Sequence, residues 1–222
     1  MGKLIVFEGT DGSGKSTQFE LLAKQLEAEQ IGFQRLRFPQ YEEPSSALIR
    51  MYLGGAFGYD PEAVNAYAAS TFYAVDRYAS YQRVWKDYYQ GGGFVVSDRY
   101  TTSNAVHQGS KVPEGERAEF FRWLYDLEYD RMGLPRPDLV VLLDMPVELS
   151  EQLMRKREQS TGTHADIHER DEDYLKKCRD VALHAAKYYG WRTVSCAKDG
   201  VIRSVEGIHE EVYAIVKSCL ED

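Results

Sequence analysis

The sequence predicts an α/β fold in which a five-stranded parallel sheet carries helices on both faces. Short apolar runs alternate along the chain with longer segments whose apolar residues recur at helical spacing. The runs lack the apolar–polar alternation of strands that face water on one side, which is typical of a parallel sheet buried between helices. We therefore expect any ligand to bind beyond the carboxyl ends of the strands.

The predicted strands are short and apolar. The first ends at a glycine and the second is stopped by Pro39, while the fourth has the sequence LVVLLD. The five predicted strands span residues 3–8, 33–38, 94–98, 139–144 and 191–195.

The predicted helices fill the segments between the strands. In the first, Phe19, Leu22 and Leu26 fall on one helical face. Another begins at Pro61 and stops before the glycines 91–93. The predicted helices span residues 15–29, 61–90, 116–132, 147–157, 169–189 and 204–220.

Composition restricts the class of protein. The chain has 222 residues, which predicts a single domain over residues 1–222. A net charge of −8 argues against a long nucleic acid as partner, because such binding needs a basic surface. No apolar stretch reaches the ~18 residues of a membrane helix, and Glu8 interrupts the first apolar run, so we expect a cytoplasmic protein without membrane contact. The three scattered cysteines favour neither a disulfide scaffold nor a zinc site.

The strongest motif lies between the first strand and the first helix. Its sequence, GTDGSGKS, matches the Walker A pattern G-x-x-x-x-G-K-[ST] and predicts a P-loop NTPase fold. Glycines let successive backbone N–H groups point at phosphate oxygens, while Lys15 places a positive charge against the β- and γ-phosphates. We expect Lys15 to face solvent when no nucleotide is bound. The predicted ATP-binding residues are Gly9, Thr10, Asp11, Gly12, Ser13, Gly14, Lys15, Ser16 and Thr17.

The phosphate loop alone does not identify a reaction. Motors, GTPase switches and small-molecule kinases share it, but the guanine-binding N-K-x-D pattern of GTPases is absent from the sequence. The chain also has no room for a separate motor domain. A small kinase is therefore the favoured class, with a regulatory nucleotide switch as the alternative.

Several further segments, in this order and spacing, resemble the thymidylate kinase family over nearly the whole chain. They are IVFEGTDGSGKSTQ, RFP (37–39), FYAVDR (72–77), SDRYTTSNAVHQG (97–109) and PDLVVLLD (137–144). The resemblance implies transfer of the γ-phosphoryl group of ATP to dTMP with Mg²⁺ as cofactor, and it implies a homodimer. A deoxynucleoside kinase, or a kinase for dUMP or UMP, stays open as an alternative.

The resemblance also implies roles for single residues. Asp98 and Arg99 end the third strand, where Arg99 would bind the acceptor phosphate and Asp98, with Ser16, would lie near the Mg²⁺ ion. The implied catalytic residues are Lys15, Asp98, Arg99, Arg155 and Arg157. The implied substrate-binding residues are Asp11, Phe38, Tyr73, Arg77, Arg99, Asn104 and His107.

The residues by themselves leave some of these roles open. Tyr73 and Arg77 are four apart and share a helical face, which suits either a base-binding site or a packed core. Asp11 could cap its own loop, and Asp98 with Arg99 could form a structural ion pair. His107 stands where relatives often have tyrosine.

A polar stretch after the predicted fourth helix, EQSTGTHAD, indicates a mobile lid at about residues 155–169. Relatives that, like this chain, have glycine at the position of Gly12 draw a catalytic arginine from the lid. Arg155 is the first candidate here and Arg157 the second. Relatives differ from this chain in two further places, with arginine where Tyr41 and Ile167 stand.

Overall fold

A computed structural model describes residues 1–58, 60, 63–161 and 172–221. Its main sheet has five strands in the order β2-β3-β1-β4-β5, and the predicted five-stranded parallel arrangement is confirmed. Near-complete burial of β1, β3 and β4 explains why their sequences are continuous apolar runs. The strands are β1 (Lys3–Glu8), β2 (Phe33–Arg37), β3 (Phe94–Asp98), β4 (Leu139–Asp144) and β5 (Arg192–Ser195).

A small hairpin, not predicted from the sequence, follows β5. Its strands are β6 (Ala197–Lys198) and β7 (Val201–Ile202), which pair antiparallel. Asp199 and Gly200 form the turn and both have positive φ, at 51° and 77°. Two central residues with positive φ give a turn whose twist matches that of the strands beside it.

The predicted helices are present with shifted ends, and two short ones, α2 and α5, were not predicted. The π-helical segment Tyr81–Trp85 joins α3 to α4, and a second, Asp126–Arg131, extends α6. The helices are α1 (Lys15–Ala28), α2 (Ala47–Leu53), α3 (Ala66–Ser80), α4 (Lys86–Gln90), α5 (Thr101–His107), α6 (Arg117–Tyr125), α7 (Val147–Thr161), α8 (Glu172–Tyr189) and α9 (Val205–Glu221). None of these helices is both long and apolar enough to cross a membrane.

Local capping explains one of the shifts. The helix expected to begin at Pro61 begins instead at Ala66, because the Asn65 side chain accepts a hydrogen bond from the backbone N–H of Ala68 at 2.9 Å. An asparagine in extended conformation at this position satisfies one of the otherwise unpaired N–H groups of the first turn. Pro61 itself lies outside the described residues.

The contacts divide the chain into two compact units. The first unit comprises Met1–Val6 and Phe33–Asp138, and the second comprises Phe7–Gly32 and Leu139–Asp222. A single domain over residues 1–222 stays a prediction.

An aromatic cluster forms much of the core of the first unit. Trp85 and Tyr100 are fully buried, with ring centroids 6.3 Å apart, and Tyr100 stacks on Tyr129 at 6.4 Å. Phe38 packs on Tyr100 from the end of β2, with centroids 6.0 Å apart. Because such rings bury a large area and pack in few geometries, they fix the end of β2 and the start of α5 against the helices.

The core of the second unit joins the helix after the phosphate loop to the last helix. Leu22 and Leu26 on α1 are fully buried, as is Val212 on α9. A hydrogen bond also connects the two helices: Nε2 of Gln18 on α1 donates to the backbone oxygen of Val205, the first residue of α9, at 2.9 Å. The helix that begins at the phosphate loop is therefore anchored along its buried face.

Candidate functional site

The phosphate loop of the second unit encloses a cavity of about 310 Å³. Of the nine residues predicted to bind ATP, all except Gly9 line it. The complete lining is Thr10, Asp11, Gly12, Ser13, Gly14, Lys15, Ser16 and Thr17 from the loop and the start of α1, with Leu153 and Met154 from α7. A cavity bounded by loop amides and a helix N-terminus suits an anion.

Two glycines of the loop are required by its geometry. Gly12 and Gly14 have φ values of 75° and 84°, which side-chain-bearing residues rarely adopt. A Cβ atom at Gly12 would also lie 2.7 Å from the backbone oxygen of Ser150 on α7. Position 12 therefore has no space for an arginine unless α7 shifts.

Ser13 carries a buried hydroxyl that finds no partner among the described residues. Its side chain is 2% exposed and its Oγ makes no hydrogen bond. The backbone N–H of Ser13 is occupied, donating to the oxygen of Thr10 at 3.1 Å. An unsatisfied buried hydroxyl destabilises a fold, and an anion in the cavity is a ready acceptor for it.

Lys15 differs from expectation. The sequence suggested that it faces solvent, but the lysine is only 8% exposed and interacts with other residues of the chain. It begins α1 directly after Gly14, whose φ is 84°. A buried position keeps the ammonium group close to the cavity that it lines.

Glu8 was missed by the sequence interpretation. It ends β1, is completely buried, and accepts a hydrogen bond from the backbone N–H of Gly9 at 3.0 Å. The carboxylate thereby holds the first amide of the phosphate loop. An acidic residue at the end of an apolar strand and just before glycine was the available signal.

In the first unit, Asp98 and Arg99 occupy the carboxyl end of β3. Asp98 is buried and pairs with Arg37 on β2, with Nε and Oδ2 3.1 Å apart. Arg99 has a φ of 69°, which is unfavourable for an arginine. Backbone strain of this kind concentrates at functional sites.

Arg99 meets His107, another predicted substrate-binding residue. Nη1 of Arg99 lies 2.8 Å from Nε2 of His107. Since a guanidinium can only donate, Nε2 of the histidine is the acceptor and carries no proton. The structure thus places His107 beside Arg99, the residue expected to bind the acceptor phosphate.

Arg77 and Asn104, two of the predicted substrate-binding residues, both contact a buried glutamate that the sequence analysis does not identify. Glu128 is completely buried and accepts from Nε and Nη2 of Arg77 at 2.7 and 2.6 Å. Thr101 Oγ1 donates to it at 2.7 Å and Asn104 Nδ2 at 3.3 Å. Burial alone would lower the pKa of Arg77, but the adjacent carboxylate outweighs it and the pKa is raised, so Arg77 is charged. Nothing in the sequence around Glu128 signals this role.

Phe38 and Tyr73 complete the predicted substrate-binding set of the first unit. Phe38 is buried at the end of β2, and Tyr73 is half-buried on α3. Burial raises the pKa of the Tyr73 phenol, which keeps it neutral. Asp76, on the same helix, accepts from the Gln40 N–H at 2.8 Å and the Ser45 hydroxyl at 2.6 Å, so it fixes the chain that follows Phe38.

Arg50 of α2 bonds the segment that contains Tyr41. Its Nη1 donates to the oxygens of Tyr41 and Glu43 at 2.5 and 3.1 Å and to Ser46 Oγ at 2.5 Å. These bonds hold the loop before α2 and occupy that nitrogen. The Tyr41 side chain is exposed.

The predicted lid is only partly described. Helix α7 continues beyond Arg157 to Thr161, so residues 155–161 are helical rather than part of a loop. Arg155 is exposed and lies 3.4 Å from Glu151, one helical turn earlier. Residues 162–169, which include Ile167, and the side chain of Arg157 lie outside the described residues.

Known proteins of one family resemble this chain over most of its length. A family model described as thymidylate kinase matches residues 7–209. The thymidylate kinase of Mycobacterium tuberculosis H37Rv is 33% identical over 199 residues, covering 88% of this chain and 92% of the relative. A probable thymidylate kinase of Thermococcus gammatolerans is 32% identical over 98% of this chain and 97% of its own.

A solved structure shares the fold. The thymidylate kinase of Candida albicans superimposes with a TM-score of 0.71 at 22% identity, covering 98% of this chain and 92% of that one. The family match extends through the phosphate loop, through the Arg77 and Asn104 segments and into α9. The chain therefore belongs to the thymidylate kinase family.

Proposed function

We propose that the chain transfers the γ-phosphoryl group of ATP to dTMP, giving dTDP and ADP. Membership of the thymidylate kinase family makes it an ATP-dependent phosphotransferase, and the reported relatives lend no support to the alternative acceptors or to a regulatory switch. The observation that carries the proposal is the cavity bounded by the phosphate loop, into which the chain brings a lysine and a buried, unpartnered serine hydroxyl.

The phosphate loop has the groups that a nucleoside triphosphate requires. Loop amides and the N-terminus of α1 would bind phosphate oxygens, and Lys15 would neutralise charge on the β- and γ-phosphates. The Ser13 hydroxyl would gain an acceptor. Asp11 also lines the cavity, and we assign to it contact with the sugar hydroxyl of the acceptor nucleotide.

The first unit supplies the groups proposed for dTMP. Tyr73 would stack on the thymine ring, while Arg77 and Asn104 would bond its edge. Arg99 would bind the acceptor phosphate, with His107 beside it near the sugar. Phe38 would close one side of the pocket. These groups orient the acceptor, and such orientation accounts for much of the catalysis in phosphoryl transfer.

An arginine from α7 is proposed to stabilise the transferring group. The contact between position 12 and Ser150 leaves no space for an arginine on the phosphate loop, which supports a source elsewhere. Arg155 is exposed on the helix that also contributes Leu153 and Met154 to the cavity lining. It is the first candidate, and Arg157 is the second.

Mg²⁺ is the proposed cofactor. Ser16 is an exposed residue that lines the phosphate cavity, so it fits a ligand of this ion, and Asp98 is the carboxylate proposed for the same role. The described residues contain no cluster of three or more His, Cys, Asp or Glu side chains that could hold a metal ion. The bound ion would neutralise negative charge on the phosphates.

A homodimer is proposed from the exposed face of α3 and the segment after it. Val75, Tyr78 and Val84 are 48%, 40% and 56% exposed. Apolar side chains in such number on one helical stretch are typical of a surface covered by a partner. We also propose a cytoplasmic location, where ATP is supplied.

An ADP-release assay with a panel of acceptors tests the proposed reaction. We expect turnover with dTMP to exceed that with thymidine, dUMP and UMP, all at the same concentration of ATP and Mg²⁺. Equal turnover with all four, or none with dTMP, would reject the substrate. Slow ATP hydrolysis that no nucleotide stimulates would instead indicate a switch.

A further inference from the structure

We infer that Glu128 is a positioning residue which fixes the direction of hydrogen bonding at the base-binding groups and so selects thymine or uracil over cytosine. The inference rests on the proposed function and extends it to a residue outside the family motifs described above. It is carried by the geometry of four side chains of the first unit, which meet at one carboxylate.

Both carboxylate oxygens of Glu128 accept hydrogen bonds. Oε2 accepts from Nε of Arg77 and from the hydroxyl of Thr101, each at 2.7 Å. Oε1 accepts from Nη2 of Arg77 at 2.6 Å and from Nδ2 of Asn104 at 3.3 Å. An ionised carboxylate can only accept, so every group that contacts it must present a donor.

This requirement orients the amide of Asn104. Its Nδ2 donates both to Glu128 and to the backbone oxygen of Ser70, at 3.1 Å. If the amide were flipped, its oxygen would face the Glu128 carboxylate and the Ser70 carbonyl. All three groups are acceptors, so no hydrogen bond could form between them. The orientation of Asn104 is therefore set by its neighbours, and Oδ1 is directed away from them.

The remaining atoms form a defined pair. Within the part of the chain that the structure describes, neither Nη1 of Arg77 nor Oδ1 of Asn104 takes part in a hydrogen bond. Arg77 and Asn104 contact the same oxygen, Oε1 of Glu128, so their head groups lie side by side. The pair consequently offers one donor and one acceptor next to each other.

That order of donor and acceptor distinguishes pyrimidines. Thymine and uracil carry a carbonyl acceptor at C4 and a donor at N3, which complement Arg77 Nη1 and Asn104 Oδ1 respectively. Cytosine carries an amino donor at C4 and an acceptor at N3, so both contacts would be repulsive or unmade. A site whose buried polar groups are left unpaired by the wrong ligand discriminates strongly against it.

Local structure explains how Glu128 reaches this position. It lies in the π-helical segment Asp126–Arg131, where the wider turn carries Glu128 and Tyr129 into the core. π-Helical turns inside helices are frequent at functional sites. The four donors to the carboxylate come from α3 and α5. Glu128 therefore connects, by hydrogen bonds, the two helices that carry Arg77 and Asn104.

Steady-state kinetics of Glu128→Gln with dTMP and dCMP tests the inference. Glutamine keeps the shape but presents an amide N–H₂ to the cluster, which permits Asn104 to flip. We expect kcat/KM for dTMP to fall about 100-fold, mostly through KM, and the dTMP-to-dCMP selectivity ratio to fall at least about tenfold. The KM for ATP should stay within about twofold, since the phosphate loop is untouched. Glu119→Gln, on the exposed face of α6, is the matched control and should match wild type.

The outcomes separate the inference from the proposed function. Wild-type enzyme that does not phosphorylate dTMP would reject the function itself. Wild-type activity with unchanged selectivity in a folded Glu128→Gln variant would overturn the inference, as would an equal loss with dTMP and dCMP. If Glu128→Gln does not fold, Thr101→Val decides, because it removes one donor to Glu128 and should shift selectivity in the same direction. A fully retained selectivity ratio in Thr101→Val would then overturn the inference.

Discussion

The phosphate loop and the buried cluster around Glu128 are built in opposite ways for the ligands proposed for them. The loop uses consecutive residues, 9–17, and relies on backbone amides, glycine conformations and a helix terminus. The Glu128 cluster gathers side chains that are up to 51 positions apart, Arg77 to Glu128, and relies on their mutual hydrogen bonds. A phosphate needs donors from many directions, which a curled backbone supplies. A pyrimidine edge needs a donor and an acceptor in a fixed order, which only positioned side chains supply.

The difference implies different sensitivity to substitution. In the loop, a side chain is tolerated or rejected according to local backbone geometry. In the Glu128 cluster, each change leaves a buried partner unsatisfied, and the effect spreads to every residue that shares the carboxylate.

The largest effect is expected for Lys15→Ala. We expect kcat to fall about a thousandfold, because the substitution removes the charge proposed to neutralise the β- and γ-phosphates. Phosphoryl-transfer rates measure this effect, and the melting temperature must be followed in parallel because Lys15 is buried. Lys24→Ala, on the exposed face of the same helix, is the control. Retention of most activity in Lys15→Ala would remove the lysine from the mechanism.

Arg99→Ala and Arg99→Gly together separate function from backbone strain. Both should lower transfer about 100-fold or more, since each removes the guanidinium proposed for the acceptor phosphate, while ATP affinity changes little. The glycine variant should be about 1 kcal/mol more stable than the alanine variant, because residue 99 has a φ of 69°. Urea unfolding measures the second difference. Loss of ATP binding in both variants would indicate a structural role instead.

Gly12→Ala tests the geometry of the phosphate loop. We expect it to destabilise the fold by about 2–3 kcal/mol, since the new Cβ would combine a positive φ with a contact 2.7 Å from the oxygen of Ser150. Gly14→Ala is the matched control: it has a similar φ, but its Cβ would meet no atom within 4 Å, so about 1 kcal/mol is expected. Equal losses in the two variants, measured by denaturant unfolding, would show that α7 does not pack against the loop.

The smallest effect concerns alkaline pH. Burial raises the pKa of the Tyr100 and Tyr129 phenols in the folded protein above the ordinary value of about 10. Folding thus favours the protonated phenols, and this contribution is complete below pH ~10 and is lost as pH rises further. The free energy of unfolding measured between pH 8 and 11 should fall at the upper end, and less steeply in Tyr129→Phe. Tyr78→Phe alters an exposed side chain and serves as the control, and an identical slope in wild type and Tyr129→Phe would contradict the assignment.

The sequence by itself determined the parallel α/β sheet, the five strands of that sheet to within a residue or so, and the phosphate loop. Each depends on contiguous residues: apolar runs make buried strands, and the spacing of Gly9, Gly14 and Lys15 dictates a loop that curls around phosphate. Helix α5 was not predicted because its sequence, TTSNAVH, has no apolar periodicity. Tertiary contacts stabilise it instead, among them the hydrogen bonds of Thr101 and Asn104 with Glu128.

Only the tertiary structure decided which groups act together in the first unit. It places Arg99 in contact with His107, and it places Arg77 and Asn104 on the same carboxylate oxygen of Glu128. The sequence around Glu128 does not indicate this role. It also buried Lys15, which the sequence alone had suggested faces solvent. The physical reason is that local sequence fixes backbone conformation, whereas the role of a buried carboxylate depends on which donors contact it. Those donors are brought to it by the packing of helices that are distant in sequence.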